Sequence, residues 1–508
     1  MLTAFVILSA TTSARGDVGD AGIRLADALI GIPCAFELAK ADLRVAVALP
    51  AGVAPCTARI TVGVDGPSDG DADEVALSRD GRFVAYRSLA SNLVVGDTNG
   101  RRDIFTFDRM TIDTARSSVS SAGAQSTADS LNPAISGDGR YVVFRGDGPL
   151  VQGVSTSIRV YLRDRDVSDD GFFDSPGDVA TILASKQTNG GVYTGGGAAI
   201  TPDGRFVSFN SSQNLGSDTN GRNDVYVHDR DTDEDGIFDE PGAISLTRVS
   251  VAFDGAQGTG GEAATGSMSD DGRHVLFRSD FTNLLGAGVD TNGTTDVFVR
   301  DRDTDGDLVF DEPGAATTVR VSVSSAGAQG NGESRYGRIN ATGRFVAFQS
   351  AATNFDPLCT NAVLQIYLHD RDTDEDGIFD EPGAISTECV SLNAMGEAGN
   401  GASELPAISA SGRYVVYRSV ASNLVEGDTN GFLDYFLHDA TTGETRRVSV
   451  RSDGTQSTAG GTEPFTFPAV VDVGPLVAFT TTARGIVSDD TDSRADIFVV
   501  DPDAVVFP

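Results

Sequence analysis

The 508-residue chain has no tryptophan, only four methionines and four cysteines, and no long hydrophobic run. None of its apolar stretches approaches the roughly 18 residues of a membrane helix, so no membrane span is expected. Basic residues are few: 38 Lys and Arg stand against 73 Asp and Glu, a formal charge of -35. That balance repels nucleic-acid phosphates and anionic lipid headgroups, so no nucleic-acid partner is expected. Cys34, Cys56, Cys359 and Cys389 show no C-x-x-C spacing, which argues against a zinc or dithiol redox site. Cys359 and Cys389 fall within one repeat, either as a disulfide of an exported chain or as two unpaired thiols. There is also no G-x-S-x-G elbow, no H-E-x-x-H and no phosphate loop.

Glycine is plentiful, at 59 residues, and the apolar runs are short and rich in Val, Ile, Phe and Tyr. This combination favours many short strands joined by tight turns. One turn-and-strand element recurs: DGRFVAY (Asp80 to Tyr86), DGRYVVF (Asp138 to Phe144), DGRFVSF (Asp203 to Phe209) and DGRHVLF (Asp271 to Phe277). Weaker copies are TGRFVAF, SGRYVVY and VGPLVAF, beginning at Thr342, Ser411 and Val473. A second strand follows each, as in DIFTFD (Asp103 to Asp108) or DVYVHD (Asp224 to Asp229), and then a third such as TRVSV (Thr247 to Val251). With the short segment before each glycine turn, such as NPAIS (Asn132 to Ser136), every unit has four strands. Four-stranded units of roughly 60 to 70 residues are propeller blades with enlarged loops.

The expected fold is therefore all-β: a single closed β-propeller of about seven four-stranded blades, six or eight satisfying the same pattern. The last unit stops after DIFVVD (Asp496 to Asp501), whereas ARITV (Ala58 to Val62) precedes the first complete one. Ile60 and Val62 match Val448 and Val450, so the N-terminal strand is expected to complete the last blade and remove two sheet edges. The domain division is 1–56, an N-terminal segment, and 57–508, the propeller. Met1 to Ala14 has the apolar stretch and small-residue end of a secretory signal but no basic n-region. The pattern S-x-D-G-R-[FY]-V-x-[FY] followed by D-[VI]-[FY]-V-x-D resembles the WD40-like repeats of the TolB-type propeller family, across residues 57 to 501. The resemblance implies a periplasmic or extracellular location in a bacterium and a binding role. Propellers of that family often have six blades.

Four units carry an acidic insertion before their TRVSV-type strand. Asp231, Asp233, Asp235, Gly236, Asp239 and Glu240 repeat as Asp372, Asp374, Asp376, Gly377, Asp380 and Glu381. Alternate carboxylates around a glycine turn can converge on one hard cation, so calcium is the expected cofactor. The spacing resembles the D-x-D-x-D-G-x-x-D loop of thrombospondin type 3 repeats and the first half of an EF-hand. The bidentate twelfth-position glutamate of an EF-hand is replaced by Gly242 and Gly383. Degraded copies hold Asp303, Asp305, Asp307 and Asp311, with Leu308 at the glycine position, and Asp166, Ser168, Asp170 and Asp174. A merely solvated acidic loop is the alternative to calcium in the two intact copies and the leading reading of the degraded pair.

A second pattern is Asp97, Asn99, Asp103, recurring as Asp218, Asn220, Asp224; Asp290, Asn292, Asp296; Asp428, Asn430, Asp434; and loosely Asp490, Asp492, Asp496. It fits a cation site, or an Asx-turn whose last Asp bonds loop N–H groups. His228, His369 and His438 share one repeat position and read as repeat residues. His274 replaces the aromatic of the turn-strand motif. Two functions remain. One is a non-catalytic, exported, monomeric scaffold that binds a protein or glycan partner, its loops stiffened by calcium. The other is a hydrolase or lyase whose acids converge at the central channel. Two carboxylates facing each other across the channel favour the enzyme; a lining of Ser, Thr and Ala favours the scaffold.

Overall fold

The computed structural model describes residues 56–503, apart from 155–157, 187–194, 452, 458–463, 473 and 489. The leader expected at 1–56, with Cys34 and the signal-like start, thus lies outside the described residues save for Cys56.

The glycine turns of blades one to six are closed from within. Ser78 Oγ donates to Asp80 Oδ1 at 2.6 Å, the same oxygen accepts Arg82 N at 2.9 Å, and Phe83 N donates to Ser78 Oγ at 2.8 Å. The motif arginine then forks onto the aspartate that ends the third strand: Arg82 on Asp108, Arg140 on Asp164, Arg205 on Asp229, Arg273 on Asp301, Arg344 on Asp370 and Arg413 on Asp439. The two most regular pieces of the repeat, D-G-R and the final Asp of D-[VI]-[FY]-V-x-D, are therefore two halves of one bidentate pair.

Blade one consists of Ala72–Leu77, Phe83–Ser88, Asp103–Asp108 and Asp113–Arg116, from the inside outward. Five further antiparallel sheets repeat this order, their inner strands being Ser130–Ile135, Gly196–Ile200, Ala263–Met268, Ser334–Ile339 and Ser403–Ile408. Blade seven joins Ala469–Val470, Val477–Thr481 and Asp496–Asp501 to Cys56–Arg59 from the other end of the described chain. No helix occurs among the described residues, and none there is long and apolar enough to cross a membrane.

The ring closes by pairing Cys56 with Asp501 through Arg59 with Phe498. Ile60 N then donates to Ile497 O at 3.0 Å, as Val448 N does to Tyr435 O at 2.8 Å in blade six, so Ile60 and Val448 are equivalent as the repeat implies. The regular strand nevertheless begins two residues earlier than Ala58 and ends at Arg59. Val62–Gly63 leaves the sheet to pair with Gly66–Pro67, because the chain must turn inward to reach the first strand of blade one.

Seven apolar clusters fill the seven blade-to-blade interfaces, including the one where blade seven meets blade one. The turn glycines are part of this packing. A Cβ on Gly139 would stand 2.1 Å from the Phe83 ring of the preceding blade, and one on Gly204 2.3 Å from Tyr141. The motif glycine and the motif aromatic are thus complementary across neighbouring blades, and both glycines also need φ near +80°.

Candidate functional site

Six inner strands carry a β-bulge. At five of these bulges the residue lies in the left-handed region: Glu74, Asn132, Gly197, Tyr336 and Leu405, with φ between 52° and 55°. Four of the five are not glycine, and such conformations cost about 1–3 kcal/mol each and gather at functional sites. One end of the channel is lined by the last residue of each inner strand, Leu77, Ile135, Ile200, Met268, Ile339, Ile408 and Val470, and there Arg79 of blade one pairs with Asp270 of blade four. The residue before each of these is Ala76, Ala134, Ala199, Ser267, Ala407 or Ala469, except in blade five, where it is Arg338.

Arg338 lines a cavity of about 360 Å³ at the bulged level, together with Glu74, Asn132, Arg278, Tyr336 and Phe467. Its guanidinium lies 3.7 Å over the Phe467 ring, Arg278 lies 5.2 Å from the centre of the Tyr336 ring, and Phe465 and Phe467 meet Tyr336 edge-on. Burial pulls Arg338 down to about 10. Among the described residues neither Arg278 nor Arg338 has a carboxylate within ion-pair distance, although the arginines equivalent to Arg278 do: Arg87 has Asp73 and Glu74, Arg145 has Asp147, and Arg418 has Glu404. Opposite Arg278 stands Ala264, where blades one and six place Asp73 and Glu404. Glu74, the carboxylate of the cavity, is already engaged. It pairs with Arg87 at 2.8 Å and accepts Asn132 N at 2.6 Å, and burial pushes it upward. Among the described lining residues Glu74 is the single carboxylate, and the other walls are largely Gly, Ala and Thr.

The acidic insertions follow the third strand of blades two to five. Asp231, Asp233 and Asp235 bring carboxylate oxygens within 4.8 Å of one another, as do Asp372, Asp374, Asp376 and Asp303, Asp305, Asp307. Asp233, Asp305 and Asp374 are pushed upward, by desolvation first and then by the neighbouring carboxylates. The ninth-position aspartates are not in these clusters. Asp239 pairs with Arg230 at 2.8 Å, Asp380 with Arg371 at 2.5 Å, Asp311 with Arg302 at 2.7 Å and Asp174 with Arg165 at 2.7 Å. The arginine between the two aspartates of each D-R-D segment turns across the loop and claims the acid that the spacing offered to a cation. Glu240 and Glu381 stand aside as well, accepting Ala243 N and Ala384 N on their backbone carbonyls. In blade two Asp166 and Asp170 are joined by Asp178 instead. Each loop also packs on the preceding blade: Phe173 on Phe83, Phe238 on Tyr141, Phe310 on Phe206 and Phe379 on His274.

The D-T-N-G loops are Asx-turns. Asn99 Oδ1 accepts Arg101 N at 3.0 Å and its amide donates to Asp103 Oδ2 at 2.7 Å; Asn220, Asn292 and Asn430 make the same donation to Asp224, Asp296 and Asp434. An arginine of the fourth strand faces the first aspartate: Arg116 on Asp97, Arg248 on Asp218, Arg320 on Asp290 and Arg447 on Asp428. The histidines do not converge. His228, His369 and His438 hold one register position in three different blades, and burial brings His369 and His438 down to about 4.

No family model and no curated protein matches this chain. Among solved structures it is similar to TolB from Acinetobacter baumannii, at 14% identity over 75% of this chain and 63% of that one, with a TM-score of 0.35. It is also similar to an oligogalacturonate lyase in complex with manganese (10%, 89% and 94%, TM-score 0.45) and to an acylaminoacyl peptidase of Pyrococcus horikoshii (9%, 85% and 51%, TM-score 0.44). The chain thus spans under two thirds of the Acinetobacter protein and about half of the peptidase.

Proposed function

We propose that this propeller is a non-catalytic binding protein that takes an anionic, ring-bearing ligand, such as an acidic glycan, at the bulged end of its channel. The carrying observation is that Arg278 and Arg338 face the cavity without a carboxylate in a chain of charge -35. Where acids are abundant, a guanidinium kept free of them is available to an anion, and Tyr336 and Phe467 beside it offer flat apolar faces. The Ala and Ser column around Arg338 supports a scaffold over an enzyme.

The same reading has the chain acting as an exported monomer whose acidic insertions take calcium. The disulfide Cys359–Cys389 supports an oxidising compartment. Calorimetric titration with a uronic-acid oligosaccharide and with its neutral counterpart tests the binding role. The charged sugar is expected to bind with strong salt dependence, and Arg338→Gln and Arg278→Gln to weaken it at least tenfold with unchanged melting. Equal binding of the neutral sugar, or no loss in either variant, removes the reading.

A further inference from the structure

Blade seven reads D-T-D-S where four other blades read D-T-N-G, with Ser493 at the glycine position. The place of Asn99, Asn220, Asn292 and Asn430 is taken by Asp492. Asp492 Oδ1 still accepts a loop N–H, from Arg494 at 2.9 Å, so the turn itself is kept. Its other oxygen, however, has no proton to give Asp496, where those four blades place an amide donor.

Asp490, Asp492 and Asp496 instead bring three carboxylate oxygens within 4.8 Å of one another. Asp490 is only 5% exposed and its Oδ2 finds no hydrogen-bond donor among the described residues; Asp496 is only 3% exposed. The arginine that answers the first aspartate at 2.9 Å in blade one is here Arg59, which lies 3.7 Å from Asp496. Arg494 pairs with Asp492 from the surface at 2.7 Å. Burial pushes Asp496 up to about 6, against the pull of Thr61 and Arg59. Two of the three acids are thus withdrawn from water, with an unanswered carboxylate oxygen among them. All the candidate ligands are hard oxygens, the set that calcium and magnesium take.

We propose that Asp490, Asp492 and Asp496 hold one hard divalent cation at the seam where the ring closes. The site spans both ends of the ring, because Thr61 Oγ1 donates to Asp496 and accepts Ile497 N at 3.4 Å. The ion fastens the N-terminal strand to the last blade where four other blades use an asparagine amide.

The test compares the full chain with its Asp492→Asn variant, which restores the residue of the sister blades. Bound ions are counted by native mass spectrometry in calcium and, separately, in magnesium, and melting is followed with and without metal. The variant is expected to bind one ion fewer than the wild type in at least one of the two metals, and to melt higher than the wild type without metal. The difference of one ion stands whether or not the acidic insertions bind calcium. Equal ion counts in both metals overturn the proposal.

Discussion

Cys359 is bonded to Cys389 at the two positions that Asp97 and Arg116 occupy in blade one. Both pairs join the loop before the third strand to the end of the fourth, so a covalent bond replaces a salt bridge in one blade. Closing a loop of 30 residues is worth about 3–4 kcal/mol on chain-entropy grounds. Cys359→Ser with Cys389→Ser is expected to lower the melting temperature by several degrees, and Cys359→Asp with Cys389→Arg to recover part of the loss. Calorimetry of the three proteins measures both steps.

Leu308 holds a φ of 70° at the place where the intact acidic loops have Gly236 and Gly377, and its side chain is 71% exposed. The left-handed conformation costs a residue with a Cβ about 1–2 kcal/mol, and almost no packing is lost with this side chain. Leu308→Gly is therefore expected to stabilise the protein by about 1 kcal/mol in denaturant unfolding, an outcome unusual for a glycine substitution.

His369 and His438 are buried and held near 4, below their ordinary 6.5. The unfolded chain takes up a proton on each near pH 6.5, the folded chain only near pH 4. Their stabilisation is complete above pH 6.5 and falls as pH drops towards 4, by roughly 1.4 kcal/mol per pH unit per histidine at most. His369→Gln should lose less melting temperature than the wild type between pH 6.5 and 4.5. The lowered carboxylates Asp239, Asp301 and Asp439 act in a separate window, below about pH 4.

If the acidic insertions take calcium, each site adds about 2.7 kcal/mol at a hundredfold excess over Kd. Three carboxylates with no bidentate twelfth ligand place that response at roughly 0.1–1 mM. Asp233→Ala with Asp374→Ala is expected to cut the calcium-induced rise in melting temperature and to leave the metal-free protein folded or slightly more stable. Unchanged wild-type melting at millimolar calcium counts against these loops as metal sites.

The blades were legible because their turns repeat in sequence: D-G-R, the aromatic after it and the terminal aspartate all recur at fixed spacing. Their number and the closure at Ile60 followed from the same spacing. Pairing across the loops was not legible, since nothing in D-x-D-x-D-G-x-x-D says that Arg230 will claim Asp239, or that Asp178 will replace Asp174. The cavity was hidden for another reason. Inner strands are the least alike of the four, ADEVAL beside SRYGRI, and each bulge shifts the alternation by one residue, so Arg338 shows as an exception only once the strands are aligned on their last residue.

The closing pair also sets an order of events during synthesis. Thr61 and Asp496 are 435 residues apart, so the strand Cys56–Arg59 leaves the ribosome long before the strand that will receive it. At the usual pace of translation it waits on the order of 20 to 90 s as an unpaired edge. For that interval six blades can stack while the ring stays open, and the nascent chain presents two free sheet margins to any neighbour. Exchange of the closing strand between chains is therefore expected to rise with the concentration of incomplete rings.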